Sequence, residues 1–264
     1  MTEWQNLEPL IRIGAFASVF LVLASLEAAF PRRARVKPRA QRWFSNFGML
    51  FASNLLMRLF IPLLGVGFAL WVSEAGFGLF NWLSWPVWLE VMLAIIALDF
   101  AIWAQHLLMH FVPPLWAMHK VHHVDEDLDA SSGIRFHPFE QFVSLGFKLA
   151  VIACLGISPL GVFLFEVILN AAAMFNHASI ALPRRADSVL RKLIVTPEMH
   201  RVHHSVHEEE TNSNFGFCLS LWDRMFRTYR AQPRDGHEAM TLGLDKKPGG
   251  NTAGFLWGLI LPFR

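Results

Sequence analysis

The chain is poor in cysteine, in tyrosine and in charge. Its two cysteines, Cys154 and Cys218, belong to no CxxC or CxxCH string, which excludes a disulfide framework, a zinc ribbon and covalently attached haem. Charged residues make up 17% of the 264 positions, whereas a soluble domain carries roughly 25%. The formal net charge of +2 is too small to point to a nucleic acid partner. There is no HExxH string, which excludes a zinc hydrolase of that type, and there is no GxGxxG, internal repeat or low-complexity segment. Phenylalanine (24), tryptophan (10) and histidine (12) are plentiful instead, and 54% of the residues are apolar. That balance fits a chain dissolved in a bilayer.

The apolar residues fall in runs long enough to span about 30 Å of hydrocarbon. The first covers residues 9–30; its leading segment carries Glu3, Glu8 and Arg12, so it reads as a retained anchor helix and not as a signal peptide. A loop with Arg32, Arg33, Arg35, Lys37, Arg39 and Arg42 follows, which the positive-inside rule assigns to the cytosol. A patch for anionic lipid would lie on the same side. The second run, residues 46–72, leads to a stretch without Lys or Arg at residues 74–85, with Trp71, Trp82, Trp85 and Trp88 in and around it, as at an outer interface. The third, residues 86–111, returns to the cytosol. Residues 142–182 are apolar but interrupted by ISPLG; the first half is short, so the pair reads as a hairpin that stops short of crossing, with Lys148 snorkelling to the cytosolic interface. Residues 255–261 are too short to cross and are expected to lie in the interface.

The expectation is therefore an all-α, polytopic membrane bundle of about four transmembrane or hairpin helices, with a cytosolic helical cap. It forms one integral membrane domain over residues 1–264. A bacterial inner membrane is the expected location.

The histidines are clustered. His106 and His110 form HxxxH; His119, His122 and His123 form HxxHH; so do His200, His203 and His204. Residues three or four apart share a helix face, so each cluster can aim several imidazoles at one point. Packed together without a cation, they would repel one another's protonated forms and have no evident partners. Eight clustered imidazoles exceed the four ligands of a typical zinc site, so the count favours two metal ions. His177 is a ninth ligand candidate; His137, His207 and Asp99 are further candidates for ligation or for supporting the ligands. A lone histidine is more often a satisfied polar group, and His237 is read that way. Counting spans from the basic loop puts every cluster on the cytosolic side, although the count makes no use of the histidines. A bis-histidine haem would leave most of these side chains unexplained, and imidazole alone does not choose between iron, zinc, copper and nickel.

These residues resemble the fatty acid hydroxylase/sterol desaturase superfamily of membrane di-iron oxygenases. The resemblance is carried by DFAIWAQHLLMH from Asp99, LWAMHKVHH, RFHPFE, FNHASI, PEMHRVHHS and the closing NSNFGFCLSLWDRMFRTY. The family often has Tyr at the position of Trp103, Arg at Leu107 and Gly at Arg227, and some members have a second histidine near His177. The resemblance runs from about residue 95 to 230 and implies that this is the catalytic region, with two irons held by histidine, O2 as co-substrate, and oxidation of an unactivated C–H bond of a lipid by hydroxylation or desaturation. Zinc stands above Fe(II) in affinity and can substitute in purified protein. Ligating histidines usually donate their second N–H to a carboxylate or carbonyl; Asp99, Glu140, Glu198 and Asp223 are the candidate acceptors. With no redox motif in the chain, a separate electron donor is expected: a ferredoxin, a rubredoxin, or a cytochrome with its reductase. The competing classes are a metal transporter, which would carry ligands near the bilayer midplane, and a non-catalytic metal- or lipid-binding relative, which would have damaged clusters.

The topology has a direct test. A cysteine introduced within residues 74–85 is expected to react with an impermeant thiol reagent on intact cells; reaction only after permeabilisation would refute this span count.

Overall fold

The structure, a computed structural model, describes residues 3–246 and 249–264. It is helical throughout, with only isolated bridges of extended chain among the described residues. Five segments are long and apolar enough to cross a membrane. Helix α1 (Glu3–Ala29) is followed by α2 (Arg39–Phe60) and α3 (Gly65–Glu74), then α4 (Val87–Phe111) and α5 (Pro113–His123). A 3-10 turn (Ala130–Ile134) leads into the hairpin of α6 (Pro138–Leu155) and α7 (Pro159–His177). Six short helices complete the chain: α8 (Arg184–Leu190), α9 (Pro197–His203), α10 (Glu208–Thr211), α11 (Leu221–Met225), α12 (Gly236–Ala239) and α13 (Phe255–Ile260).

Proline sets the breaks that shape the bundle. The residue before a proline is driven to extended backbone, and Ile61 (φ −121°, ψ 106°) and Val112 (φ −101°, ψ 111°) both obey. Pro62 thus divides the second apolar run, which composition reads as one span, into α2 and α3. Pro113 and Pro114 end α4 and restart the chain as α5, turned back against α4. Pro138, Pro159 and Pro197 each stand in the first turn of a helix, where the missing N–H costs nothing. Ser158 and Thr196 cap those starts by accepting from Gly161 N and Met199 N.

The α6–α7 hairpin does not stop short. Its turn is made at Gly156, left-handed at φ 69°, where Gly156 N and Ile157 N both return to the Ile152 carbonyl. Glu90, at the start of α4, accepts from Ser158 N (3.1 Å) and Ser158 Oγ (2.6 Å). The turn therefore reaches the level where α4 begins, while the far end of α7 reaches the histidines. A core of Ala69, Val72, Ala94, Leu98, Ile152, Val162 and Phe165 joins α3, α4, α6 and α7 at this end. Lys148, expected at an interface, instead turns inward to Glu166 on α7.

At the opposite end the short helices form a cap. The basic loop after α1 is bolted to it: Arg32 pairs with Glu198 (2.7 Å), Val36 N and Lys37 N donate to Asp127, and Arg33 reaches the carbonyls of His237 and Met240. The buried Arg42 pairs with Asp125 (2.8 Å) and with Asp129. The C-terminal segment joins the cap as well, with Arg135 donating to the Thr252 carbonyl (2.7 Å) and Phe255 against Gly48. Residues 255–261 thus have a protein partner in α2 and α5, while Leu256, Ile260 and Phe263 stay exposed.

One close approach fixes the cap to α7. A Cβ on Gly133 would stand 2.5 Å from the Ala173 carbonyl oxygen, a backbone atom. Gly133→Ala is expected to lower thermal stability by about 1–3 kcal/mol through overpacking. Gly146→Ala, whose Cβ meets nothing, is expected to hold or raise it; equal melting temperatures for the two variants would refute this packing.

Candidate metal centre

Four elements converge at the cap end. α4 supplies His106 and His110 one turn apart, and the proline break lets α5 fold back with His119, His122 and His123. The end of α7 supplies His177, and α9 with the residue after it supplies His200, His203 and His204. The imidazole nitrogens gather into a group of five (His106, His110, His119, His123, His203) and a group of four (His122, His177, His200, His204), each within 4.8 Å. All nine candidates from the sequence are in these two groups. Rings of the two groups touch, His123 stacking on His204 at 4.5 Å between centroids.

The hydrogen bonds fix which nitrogen faces inward. His106 Nδ1 donates to the Phe215 carbonyl (2.7 Å), His122 Nδ1 to that of Arg135 (3.1 Å), His177 Nδ1 to that of Ala173 (2.6 Å), and His203 Nδ1 to that of Ser213 (2.7 Å). A carbonyl only accepts, so the proton of each neutral ring lies on Nδ1 and Nε2 is a bare lone pair. His119 Nδ1 meets Glu140 Oε1 (2.7 Å) and His110 Nδ1 meets Asn212 Oδ1 (3.3 Å), with the same consequence.

The inward nitrogens face one another, and in the pairs His177–His122 and His119–His106 bare lone pair meets bare lone pair. His177 Nε2 lies 3.0 Å from His122 Nε2, 3.1 Å from His200 Nε2 and 3.2 Å from His204 Nε2. His119 Nε2 lies 3.1 Å from His106 Nε2 and 3.2 Å from His123 Nε2. One proton cannot serve three neighbours, and His177 has already placed its own elsewhere. Two ligands at about 2.0–2.1 Å from a common ion, at tetrahedral to right angles, stand about 2.9–3.4 Å apart. The spacing is that of neighbouring ligands on a cation. Buried His110 Nε2, His203 Nε2 and the Nδ1 atoms of His123, His200 and His204 have no partner among the described residues. The donor set fits two metal ions.

Burial keeps these rings neutral. His122, His123, His200 and His204 are held well below the ordinary histidine value, first by burial and then by neighbouring imidazoles; burial pushes His203 down to about 3. A neutral imidazole is the form that ligates.

The other candidates lie outside both groups. His137 caps α6: its Nδ1 accepts from Phe139 N and its Nε2 donates to the Leu259 carbonyl. His207 pairs with Asp235 at the surface (2.7 Å), and His237 with Glu198 (3.0 Å). Asp99 touches no histidine. It accepts from Cys218 N, Leu219 N and Trp222 Nε1, and so holds the closing segment on α4. Glu198 serves Arg32 and Arg201. Asp223 acts one step removed, accepting from Phe215 N (2.8 Å) while the Phe215 carbonyl accepts from His106. Of the four carboxylates proposed to orient histidines, Glu140 does so directly. Spacing did not single out Asn212, Asn214 or Arg135, because their roles depend on turns that no helical periodicity encodes. Asn212 and Asn214 do lie in the closing NSNFG string, and Asn214, left-handed at φ 52°, ties Met199 to Arg230.

The sequence profile of the fatty acid hydroxylase family matches residues 91–228, just over half of the chain. The chain belongs to that family. Fatty acid hydroxylase relatives include the ornithine lipid hydroxylase OlsE of Rhizobium tropici, 30% identical over 68% of this chain and 52% of that protein. The alkylglycerol monooxygenase of Homo sapiens is 27% identical over 53% of this chain and 30% of its own length. The cholesterol 25-hydroxylase of Mus musculus is 31% identical over 54% and 48%. The chain thus spans about half or less of the length of these curated relatives. No solved structure matches it. The departures from the fatty acid hydroxylase pattern have structural readings. Arg227 stands at φ 61°, a conformation that suits the family's glycine. Trp103 Nε1 donates to Asp223 (3.0 Å), a bond that a tyrosine hydroxyl can also make.

The neutral rings set a pH dependence for the metal-free protein. A histidine whose folded pKa lies below its unfolded value near 6.5 favours folding above that value. The contribution is lost as pH falls, because the unfolded chain takes up protons that the folded cluster refuses. Chelator-treated protein is expected to lose stability progressively from pH 6.5 toward pH 3; a flat denaturation midpoint between pH 7 and 5 would contradict the neutral cluster.

Proposed function

We propose that the protein is a membrane-bound, O2-dependent di-iron oxygenase that hydroxylates an unactivated C–H bond of a lipid. The observation that carries this reading is the inward set of facing Nε2 lone pairs, within a chain of the fatty acid hydroxylase family. The five-histidine group holds one iron and the four-histidine group the other. Iron is chosen over zinc because the relatives carry out oxygenation, to which redox-inert zinc contributes nothing. The relatives' names, a lipid hydroxylase, a monooxygenase and a sterol hydroxylase, favour hydroxylation over desaturation. The net reaction consumes the lipid, O2, two electrons and two protons, and yields the alcohol and water. When bound, the irons supply O2 activation and the oxidising power to break the C–H bond.

The chain's own residues do the rest. The Nδ1 bonds to four backbone carbonyls, to Glu140 and to Asn212 lock six rings before any ion arrives, so metal binding requires little reordering. Glu140 makes His119 the most electron-rich ligand, because a carboxylate polarises its ring more than a carbonyl does. A cavity of about 920 Å3 reaches His106 and His119 from between α1, α2, α4, α6 and α7. Ile102, Phe136, Leu169 and Phe217 line it next to the rings, so an alkyl chain can lie against the centre with water excluded. The electrons come from a separate donor: a ferredoxin, a rubredoxin, or a cytochrome with its reductase. The basic loop at residues 32–42 is bolted to the histidine end, which under the positive-inside rule supports a centre on the cytosolic face; the membrane in this reading is a bacterial inner membrane.

Protein made in iron-rich medium is expected to contain two irons per chain by metal analysis, with spectroscopy showing a coupled pair. Lipids from cells expressing it are expected to contain a hydroxylated species that His122→Ala removes. One iron per chain, or none, would refute the dinuclear centre. An unchanged lipid profile beside a complete iron pair would refute the activity alone.

A further inference from the structure

The cavity that begins at His106 and His119 ends at a set of charges that the histidine centre does not use. Arg12 of α1 pairs with Glu166 of α7 at 2.7 Å and with Glu8 one turn away; Lys148 of α6 pairs with the same Glu166. These side chains line the cavity on helices apolar enough to cross a membrane. Charges inside membrane segments are costly and are retained where they serve a function. Well-packed apolar residues would hold three helices together as firmly as a buried ion triad.

Two further features say what the charges face. Arg58 also lines the cavity, and it has no ion pair or side-chain hydrogen bond among the described residues. The cavity thus has three cations, Arg12, Arg58 and Lys148, against the two carboxylates Glu8 and Glu166 at this end, leaving one positive charge unmatched. The break at Pro62 lies here too: Leu63 and Gly65 line the same space, and a Cβ on Gly65 would stand 2.6 Å from Glu166 Oε1. The second apolar run is interrupted just where these charges gather.

We infer that this cluster binds the polar end of the substrate, an amphiphile whose head carries an oxyanion, and that Arg58 with Arg12 and Lys148 receives that oxyanion. The inference rests on the lipid oxygenase reading above. Helix rise sets the reach. Lys148 lies eight residues beyond Glu140 on α6, about 12 Å along the axis, and Glu166 lies eleven residues before His177 on α7, about 16 Å. The carbon presented to the irons is separated from the oxyanion by that distance. The cluster is then a ruler: it selects lipids with an anionic head and sets which carbon is oxidised.

The test is equilibrium binding to zinc-loaded protein in the uncharged detergent dodecyl maltoside, with three radiolabelled probes of one chain length: hexadecanoate, hexadecyl phosphate and hexadecanol. At least one oxyanion probe is expected to bind about tenfold more tightly than hexadecanol, and a preference for either of them supports the assignment. Arg58→Gln and Lys148→Met are expected to abolish that preference and to leave hexadecanol binding unchanged. Arg58 is exposed, so its variant decides the matter if Lys148→Met fails to fold. Equal binding of the three probes to the wild type, or a preference that survives Arg58→Gln, would overturn the inference. Zinc carries out no oxygen chemistry, so this outcome is independent of the activity: absent preference beside oxidised lipid in the iron-loaded protein sinks the ruler alone, and intact preference without oxidation sinks the oxygenase alone.

Discussion

The structure turns on an electrostatic conflict at its cap end. Nine imidazoles point nitrogens inward at separations of 3.0–3.2 Å where pairs are in contact, and at least six of them have placed their protons outward. Lone pairs at that distance repel, and burial denies the rings the option of charging. A cation at each group turns the same geometry from repulsive to attractive. Every element around the centre serves to hold the rings there: Pro113 turns α5 back on α4, Gly133 lets the cap approach α7, and the carbonyls of Ala173, Arg135, Ser213 and Phe215 fix the ring orientations.

The carboxylates divide into two kinds of work. Glu140 meets a histidine directly. Asp99 and Asp223 do not, yet between them they take hydrogen bonds from Phe215 N, Gly216 N, Cys218 N, Leu219 N, Trp103 and Trp222. They gather the closing segment against α4, and that segment offers the carbonyls of Ser213 and Phe215 to His203 and His106. The buried pairs of Arg42 with Asp125 and Asp129 do similar work for the turn between α5 and α6. A wall of backbone acceptors needs this support, because carbonyls in loops stay in place only where something holds the loop.

The histidine clusters were legible because helix periodicity converts spacing into facing: three and four residues apart is enough to predict convergence. The cations of residues 32–42 carry the expected sidedness through number alone, and the structure adds that they are tied to the histidine end. The break at Pro62 was less visible, since composition over residues 46–72 stays apolar across it. Asp99 is a candidate acceptor for a histidine by its place on α4, and only the path of residues 215–222 shows that it holds the closing segment instead. Lys148 looked like a snorkelling residue because its partner, Glu166, lies across the hairpin turn, at a distance that no local pattern encodes.

That last pair joins the two halves of the molecule. Metal groups need neutral rings in a dry pocket, and a lipid chain needs an apolar wall; neither requirement explains Lys148, Glu166 and Arg12 inside the bundle. A cavity that is apolar beside the histidine groups and charged about 12–16 Å away has the polarity of an amphiphile laid along it. An apolar slot by itself discriminates weakly between neighbouring methylene positions, whereas a site that must satisfy buried charges rejects a ligand lacking the matching group. Under the proposed function, fixing one end of a flexible chain therefore does what an oxidising centre cannot do for itself: it decides which of many equivalent C–H bonds comes within reach.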